Sequence, residues 1–223
     1  MKKLTKINLK GLEKKMNVIC EDVQRNYVGG YAYYDQNGTK LGQVGNSTDI
    51  RICSADAYST AFGSCGSGSA SSGSQVIGTS LVTSSFLVKE SFFQGMADQY
   101  ADKYTNFQLD GMLGSEVGAQ TVGCAGQSVT LSINNNCSYV YNEQDLISIL
   151  KHENTHETQD CSLDTNTSEF NAYYQQVTSP NFNNCDKAFK DGILNSMAGY
   201  ASQCNKNEYT SVADIKKMLG LNY

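Results

Sequence analysis

The chain contains two histidines, His152 and His156, and both belong to one HExxH sequence. The residues before them are apolar at the spacing of one helix face, namely Leu146, Ile149 and Leu150. This pattern predicts a core helix from about Glu143 to Asp160. Residues four apart on a helix lie on one face, one turn from each other, and both imidazoles can therefore reach the same ion. The fold must turn this face of the helix toward a metal site.

Two imidazoles with a glutamate beside the first are the residue types of hydrolytic zinc sites. Imidazole nitrogens bind zinc at about 2.0–2.1 Å. Glu153 lies on the adjacent flank, where its carboxylate can take a proton from a water activated by the metal. We therefore expect one Zn²⁺ per chain, with His152 and His156 as ligands and Glu153 as the catalytic base. Because the imidazoles must be neutral to bind, zinc affinity should fall as the pH drops through the histidine range.

A catalytic zinc needs a third protein ligand. Asp160 continues the stripe of the two histidines, but it lies eight residues after His152. That spacing spans about 12 Å of helix, too far for the side chains to converge on one ion. The best candidate is Glu169, on a second predicted helix from about Thr167 to Val177, where the small Ala172 leaves room for the metal-binding helix.

Two alternatives for Glu169 stay open. In the sequence Asn166-Thr-Ser-Glu169 the glutamate is placed as in a capping box, and it can simply satisfy the N-terminus of the helix. Asp160 or Asp164 would then be the third ligand.

In the same helix, Tyr173 or Tyr174 can supply a donor to a developing oxyanion, although most tyrosines at helical spacing belong to the core.

The stretch from Ile149 to Gln176 resembles gluzincin-like zinc metallopeptidases with a short spacer, in which HExxH precedes a helix reading roughly Glu-x-x-Ala-Tyr. The resemblance implies that His152, His156 and Glu169 are the zinc ligands and that Glu153 is the catalytic base. It also implies a zincin-like α+β fold with a small mixed or antiparallel sheet, an active-site helix and a helical C-terminal part.

Two shorter stretches carry further resemblances. The segment from Tyr34 to Gly42 is similar to the lead-in of metallopeptidase toxin domains in bacterial polymorphic toxin systems, and a toxin role implies a neighbouring immunity protein. The alternating stretch from Ser128 to Asn134 resembles the edge strand that lies above the active-site helix in zincin peptidases. In those enzymes this strand pairs with an extended peptide substrate.

Strands precede helices along the chain, and this order independently indicates an α+β class. We expect a short β-rich segment at residues 31–62, a Gly/Ser linker at 63–75 and the metallopeptidase domain at 76–223. The predicted strand elements are a hairpin around Asn37-Gly38, the strand 128–134 and a continuation or partner at 139–141. The predicted helices besides those of the metal site run over about 86–104, 179–204 and 211–220.

The apolar residues of the helix at 179–204 are more typical of core packing than of a binding groove. They are Phe189, Ile193, Met197 and Tyr200.

The first 30 residues carry seven basic and three acidic residues, whereas the remaining 193 carry 10 and 19. This segment has no apolar run of the kind that a Sec signal requires. It resembles the double-glycine leaders removed by the peptidase domain of dedicated ABC exporters, through Ile19, Glu21, Asp22, Tyr27, Val28, Gly29 and Gly30. The resemblance implies cleavage after Gly30 and a secreted protein, while a short surface helix ending at glycine is the alternative.

Composition excludes other classes and constrains the cysteines. A pI near 5.0 argues against nucleic acid, and no apolar run approaches the roughly 20 residues of a membrane-spanning helix. Seven cysteines follow Gly30 without a CxxC pair, which favours disulfides in an exported chain. We expect Cys124 to pair with Cys137, because this pair would close a loop around a strand.

The sequence thus predicts an exported zinc metallopeptidase that hydrolyses peptide bonds in a peptide or protein substrate, with a toxin or effector role as one setting. The alternative is an exported bacteriocin-like or adhesive binding module whose metal is structural or absent. A structural zinc site is closed by four protein ligands, whereas a catalytic site keeps a position for water.

Overall fold

The computed structural model describes residues 31–44, 48–62, 79–80, 86–101 and 103–221. These residues form two small mixed sheets and a set of helices concentrated in the C-terminal half, and the predicted α+β class is confirmed. The predicted leader with Gly29 and Gly30, and the predicted Gly/Ser linker, lie outside the described residues. Within the described residues no helix has the length and apolarity needed to cross a bilayer.

Seven short strands make up the two sheets. They are β1 (Tyr31–Tyr34), β2 (Lys40–Val44), β3 (Ile50–Ile52), β4 (Thr79–Ser80), β5 (Asn106–Leu109), β6 (Ala119–Val122) and β7 (Thr130–Ile133). The first sheet has the order β2-β1-β3-β4, with β1 and β3 parallel. The second has the order β5-β7-β6, with β5 parallel and β6 antiparallel to the central β7.

Six α-helices and three 3₁₀ turns complete the described elements. The α-helices are α1 (Ala55–Phe62), α2 (Phe86–Tyr100), α3 (Glu143–Thr158), α4 (Thr165–Thr178), α5 (Lys187–Gln203) and α6 (Val212–Leu219). The 3₁₀ turns are Ser138–Tyr141, Pro180–Asn184 and Asn207–Tyr209. The predicted helices of the metal site correspond to α3 and α4 within two residues at each end.

The predicted hairpin at Asn37-Gly38 is confirmed, and its turn packs on α2. The Asp35 carboxylate accepts the backbone N–H groups of Asn37 and Thr39 at 2.9 and 2.8 Å, and Gly38 has φ +76°. A side chain at Gly95 would place its Cβ 1.8 Å from the Asn37 carbonyl oxygen. Glycine at this position of α2 therefore permits the backbone contact that seats the hairpin.

The first sheet is also bonded to the start of α3. Glu143 is 2% exposed, and its carboxylate accepts the Tyr34 hydroxyl and the Lys40 ammonium, the latter at 2.5 Å. Asn142 caps α3, and its side-chain amide donates to the Thr48 hydroxyl at 2.7 Å. These bonds compensate a carboxylate that would be costly to bury alone. They fix the N-terminus of the helix that carries the two histidines.

Buried residues on both sides of the predicted linker share one hydrophobic core. Its members include Ala32, Tyr34, Ile50 and Ile52 from the first sheet, and Phe92, Phe93, Met96, Leu131, Leu146, Ile149 and Leu150 from the remainder. The three apolar residues that predicted α3 are all buried, so that prediction is confirmed. The domain boundaries at 62 and 76 stay predictions.

The stretch 139–141 was expected as a strand, and this expectation is wrong. It belongs to the 3₁₀ turn Ser138–Tyr141, which the Asn142 N–H closes by donating to the Tyr139 carbonyl at 3.1 Å. The Tyr141 hydroxyl donates to the Asn135 carbonyl at 2.5 Å. The chain therefore turns straight from β7 into the cap of α3, and no strand pairing is formed.

The single helix expected over 179–204 is interrupted. Pro180 begins a 3₁₀ turn, and α5 begins at Lys187. Cys185 between them has an extended backbone, with φ −68° and ψ 158°. The N–H of Cys185 donates to the Phe182 carbonyl, and this ends the 3₁₀ turn and redirects the chain.

The predicted Cys124–Cys137 disulfide is wrong, because Cys124 pairs with Cys161. Cys137 is fully buried as a free thiol. The loop after β6 lies against the end of α3, where the Ala125 N–H donates to the Gln159 carbonyl at 3.1 Å. That contact brings Cys124 to Cys161, which follows α3, and holds it away from the core position of Cys137.

Replacing Cys161 by serine should lower the free energy of unfolding. The Cys124–Cys161 pair spans 37 residues, and a loop of that length predicts a loss of about 3–4 kcal/mol. Urea unfolding measures the difference. Cys204→Ser, at a half-buried free thiol, is the control and should cost less. Equal losses in both variants, or a Cys124–Cys137 peptide in a non-reducing digest, would contradict the assignment.

Asp145 should make the stability depend on pH. It is fully buried in the first turn of α3, its Oδ1 accepts the Asp186 N–H at 3.0 Å, and burial raises its pKa to about 6. The folded state therefore holds this proton more tightly than the unfolded chain, and the stability associated with it is lost as the pH rises from about 4 through 6.

Asp145→Asn cannot ionise, so its free energy of unfolding relative to wild type should increase between pH 4 and 7. The increase should be on the order of 1–3 kcal/mol, because each pKa unit corresponds to about 1.4 kcal/mol. Urea unfolding at a series of pH values measures it, and Asp56→Asn at an exposed position is the control. A difference between wild type and Asp145→Asn that does not change with pH would overturn the prediction.

Candidate metal centre

The side chains of His152, His156 and Glu169 converge on one point between α3 and α4. The two Nε2 atoms are 3.1 Å apart. The Glu169 carboxylate oxygens lie 3.5 Å from each Nε2, one oxygen facing each histidine. Ligand atoms about 2.0–2.1 Å from a tetrahedral zinc are about 3.3–3.4 Å from one another. The observed spacing fits one ion of that size, and these three residues form a candidate metal cluster.

Glu169 is not a helix cap, so the capping-box interpretation is wrong. Asp164 caps α4, and its carboxylate accepts the Thr167 N–H at 3.1 Å. Glu169 therefore lies in the second turn, where its side chain faces α3. Ala172, on the same face, is fully buried, and a small residue there permits the two helices to approach closely.

The two other predicted candidates for a third ligand are engaged elsewhere. Asp164 serves as the cap of α4, and Asp160 accepts the Ser162 N–H at 2.8 Å. These local hydrogen bonds to backbone and side-chain donors lower the pKa of both carboxyl groups. Of the three acids considered, Glu169 alone joins the histidines in the cluster.

Burial opposes ionisation of Glu169, but the interactions of its carboxylate with both histidine rings outweigh this effect. Their combined effect lowers the pKa of the Glu169 carboxyl below its ordinary value. Glu169 is therefore a carboxylate, which is the form that binds a metal.

A buried glutamine orients His152. The Gln176 carbonyl oxygen lies 3.2 Å from His152 Nδ1, and the Gln176 amide donates to the Ser148 hydroxyl at 3.1 Å. Gln176 is 1% exposed, so these bonds fix its amide. When Nδ1 carries the hydrogen and donates it in a hydrogen bond to Gln176, Nε2 keeps its lone pair for a metal.

A second glutamine orients His156 in the same way. The His156 Nδ1 atom lies 3.1 Å from both the side-chain amide oxygen of Gln159 and the Ser168 hydroxyl. The Gln159 amide donates to the Ser168 backbone carbonyl at 2.9 Å, which links the end of α3 to α4. Sequence reasoning missed both glutamines. Gln176 could have been found, because it lies two helical turns after Glu169 on the same face.

The histidines and Glu153 line a cavity of about 470 Å³. Glu153 is 5% exposed, and the Thr121 hydroxyl of β6 lies 3.5 Å from its backbone carbonyl. Strand β6 therefore crosses the turn of α3 that carries Glu153. The cavity is lined by residues of this strand and of the helices α3, α4 and α5.

Tyr173 lies at the metal cluster, edge-on to His152 with ring centroids 4.4 Å apart. It stacks on Tyr200 at 5.7 Å, and both rings line the cavity. Burial, with added repulsion from the carboxylates of Glu169 and Glu153, raises the pKa of Tyr173 to about 12. The hydroxyl therefore stays protonated at neutral pH and can act as a donor.

The edge strand beside the cavity is β6, whereas the sequence pointed to the stretch that forms β7. Strand β7 lies in the middle of its sheet. The Asn134 N–H donates to the Gly118 carbonyl at 2.9 Å, and alternation along the ladder then turns the N–H and C=O groups of Ala119 and Thr121 away from β7. Four residues of mixed polarity gave no alternating signal for this strand.

The apolar residues of α5 were expected to belong to core packing and not to a binding groove, and the structure places some of them in the cavity wall. Met197 is fully buried, but Phe189, Ile193 and Tyr200 also line the cavity.

Comparison with models of protein families, with curated proteins and with solved structures found no match for this chain.

Replacing Gln176 by methionine should weaken zinc binding. The variant keeps the length of the side chain but removes the acceptor for His152 Nδ1, and losses of orienting partners typically reduce metal affinity about 10–100-fold. Competition with a chromophoric chelator measures the affinity. Gln175→Met, at the exposed neighbouring position, is the matched control and should bind zinc like wild type. Unchanged affinity in Gln176→Met would remove this residue from the metal centre.

Proposed function

We propose that this protein is a zinc-dependent peptidase with a zincin-like catalytic domain. The observation that carries the proposal is the convergence of His152, His156 and Glu169 at the spacing of zinc ligands, beside a carboxylate at Glu153 and an open cavity. Two imidazoles and one carboxylate form a donor set that zinc prefers in hydrolytic sites.

The number of protein donors favours a catalytic ion over a structural one. Among the described residues the cluster offers three ligands, and all three line the cavity. A zinc held there keeps a position for water, as catalytic sites require, whereas structural sites are closed by four protein ligands. A binding module with a structural or absent metal is therefore the second candidate.

The residues around the cluster have separate roles in the proposed reaction. A zinc ion bound there supplies Lewis-acid chemistry, lowering the pKa of water and polarising a peptide carbonyl. Glu153 accepts the proton from the attacking water and returns it to the leaving amine. Tyr173, which lines the cavity beside His152, is the proposed donor to the oxygen that gains charge. Gln176 and Gln159 hold the two imidazoles in the tautomer that leaves Nε2 free.

The position of β6 at the edge of its sheet favours an extended peptide as the substrate. The backbone groups of Ala119 and Thr121 face away from β7, and a peptide strand laid along them can form a ladder over Glu153. The scissile carbonyl then lies near the metal cluster.

The proposal includes export. The double-glycine pattern ending at Gly30 supports secretion through an ABC exporter with a leader peptidase, and the Cys124–Cys161 disulfide is compatible with an oxidising compartment. A toxin or effector role, with an immunity protein in the producing cell, is the setting that the resemblance at 34–42 favours.

Glu153→Gln should abolish peptide hydrolysis and leave zinc content unchanged, because the amide cannot accept the proton but is not a ligand. Removal of a general base typically costs at least about 10²–10⁴-fold in rate. The measurements are zinc per chain by elemental analysis and cleavage of a mixed peptide library by mass spectrometry, both on the full chain.

Two further variants sharpen this experiment. Glu169→Gln should lose zinc and activity together, and Glu208→Gln, at an exposed position, should lose neither. Activity that persists in excess chelator, or equal activity of wild type and Glu153→Gln, would falsify the peptidase proposal. Full zinc in Glu169→Gln would return the third ligand to an open question.

A further inference from the structure

One end of the cavity is apolar. Ile149 precedes His152 by three residues on the same face of α3, and Phe189 and Ile193 line the cavity from α5. The Tyr139 ring packs edge-on against Phe189, with ring centroids 5.2 Å apart. These four residues, Tyr139, Ile149, Phe189 and Ile193, form an apolar wall next to the metal cluster.

The wall combines fixed and accessible surface. Phe189 and Ile149 are 4% and 7% exposed, so the core holds them in place. Gly118 lies directly against Ile149, since an added Cβ would be 2.6 Å from its Cδ1, and this contact closes one side. Tyr139 and Ile193 are half-buried and keep surface that faces the cavity. Covering such surface with another apolar group is favourable.

The charges around the cavity are of one sign. No described residue that lines it is Lys or Arg, whereas four are acids, namely Glu116, Glu153, Asp160 and Glu169. A divalent ion at the cluster would offset the negative charges of Glu153 and Glu169. Glu116 and Asp160 would then leave the cavity negative, and an acidic side chain entering it would be both repelled and desolvated.

We propose that the apolar wall is a side-chain subsite that selects a bulky, uncharged aliphatic or aromatic residue beside the cleaved peptide bond. This proposal rests on the proposed peptidase function for its position in the reaction. The binding of the side chain itself depends only on the cavity, and it can be measured without turnover.

The first experiment compares cleavage of N-acetylated pentapeptides that differ at one residue, which is Leu, Phe, Lys or Asp, by the full chain. The specificity constant for the Leu and Phe peptides should exceed that for Asp by about 100-fold or more. Ile193→Ala should reduce cleavage of the Leu peptide about tenfold or more. Ile193→Glu should reduce it further and improve the Lys peptide, because the added carboxylate pairs with the ammonium.

Asn195→Glu is the matched control, because it adds the same charge on the exposed side of the same helix. It should retain the wild-type preference. Thermal unfolding checks that the Ile193 variants are folded. If Ile193→Glu does not fold, Ile193→Ala alone still tests the subsite. A wild-type enzyme that cleaves all four peptides alike, or one whose preference Ile193→Ala does not alter, overturns the subsite.

The second experiment measures binding of the same peptides to Glu153→Gln by isothermal titration calorimetry. Tighter binding of Leu and Phe than of Asp, weakened by Ile193→Ala, supports the subsite whether or not the wild type cleaves peptides. Absence of cleavage with this binding pattern defeats the peptidase function alone. Equal binding of all four peptides defeats the subsite alone.

Discussion

The close packing of α4 on α3 is the contact on which the candidate metal centre depends. Ala172 is fully buried between Glu169, which faces both histidines, and Gln176, which orients His152. A larger residue at 172 would push the helices apart and separate the carboxylate from the imidazoles. The cap at Asp164 sets where α4 begins, and the start of the helix in turn determines which of its residues face α3. Helix register, more than any single ligand, thus determines whether the cluster forms.

Support for α3 comes from a distant part of the sequence. The first sheet contacts the start of this helix through the carboxylate of Glu143, and the hairpin at 35–39 packs on α2, which shares the same core. Glu143 lies more than two helical turns before His152. The described residues of the β-rich segment contribute no side chain to the candidate metal cluster, and the segment supports it by fixing the direction of α3.

Helix faces could be predicted from the sequence because their information is local. The period of Leu146, Ile149 and Leu150 gave α3, and the position of Glu169 beside a small residue gave the face of α4. Pairings between distant segments could not be predicted. Three features depend on which loops and helices contact one another in the fold: the edge strand β6, the partner of Cys124 and the apolar wall from α5. Short segments of mixed polarity have no periodic pattern from which such contacts could be predicted.

The orienting groups of both histidines are amides, and this choice affects the electrostatics of a bound ion. Carboxylates in these positions would add negative charge and make the imidazoles stronger electron donors. Gln176 and Gln159 fix the same tautomers without a charge. A divalent ion held in this centre would have one carboxylate among its ligands, and with neutral amides behind the imidazoles it would retain a larger share of its Lewis acidity. The neutral amides also do not ionise, so the acceptors that orient the two imidazoles stay the same as the pH changes.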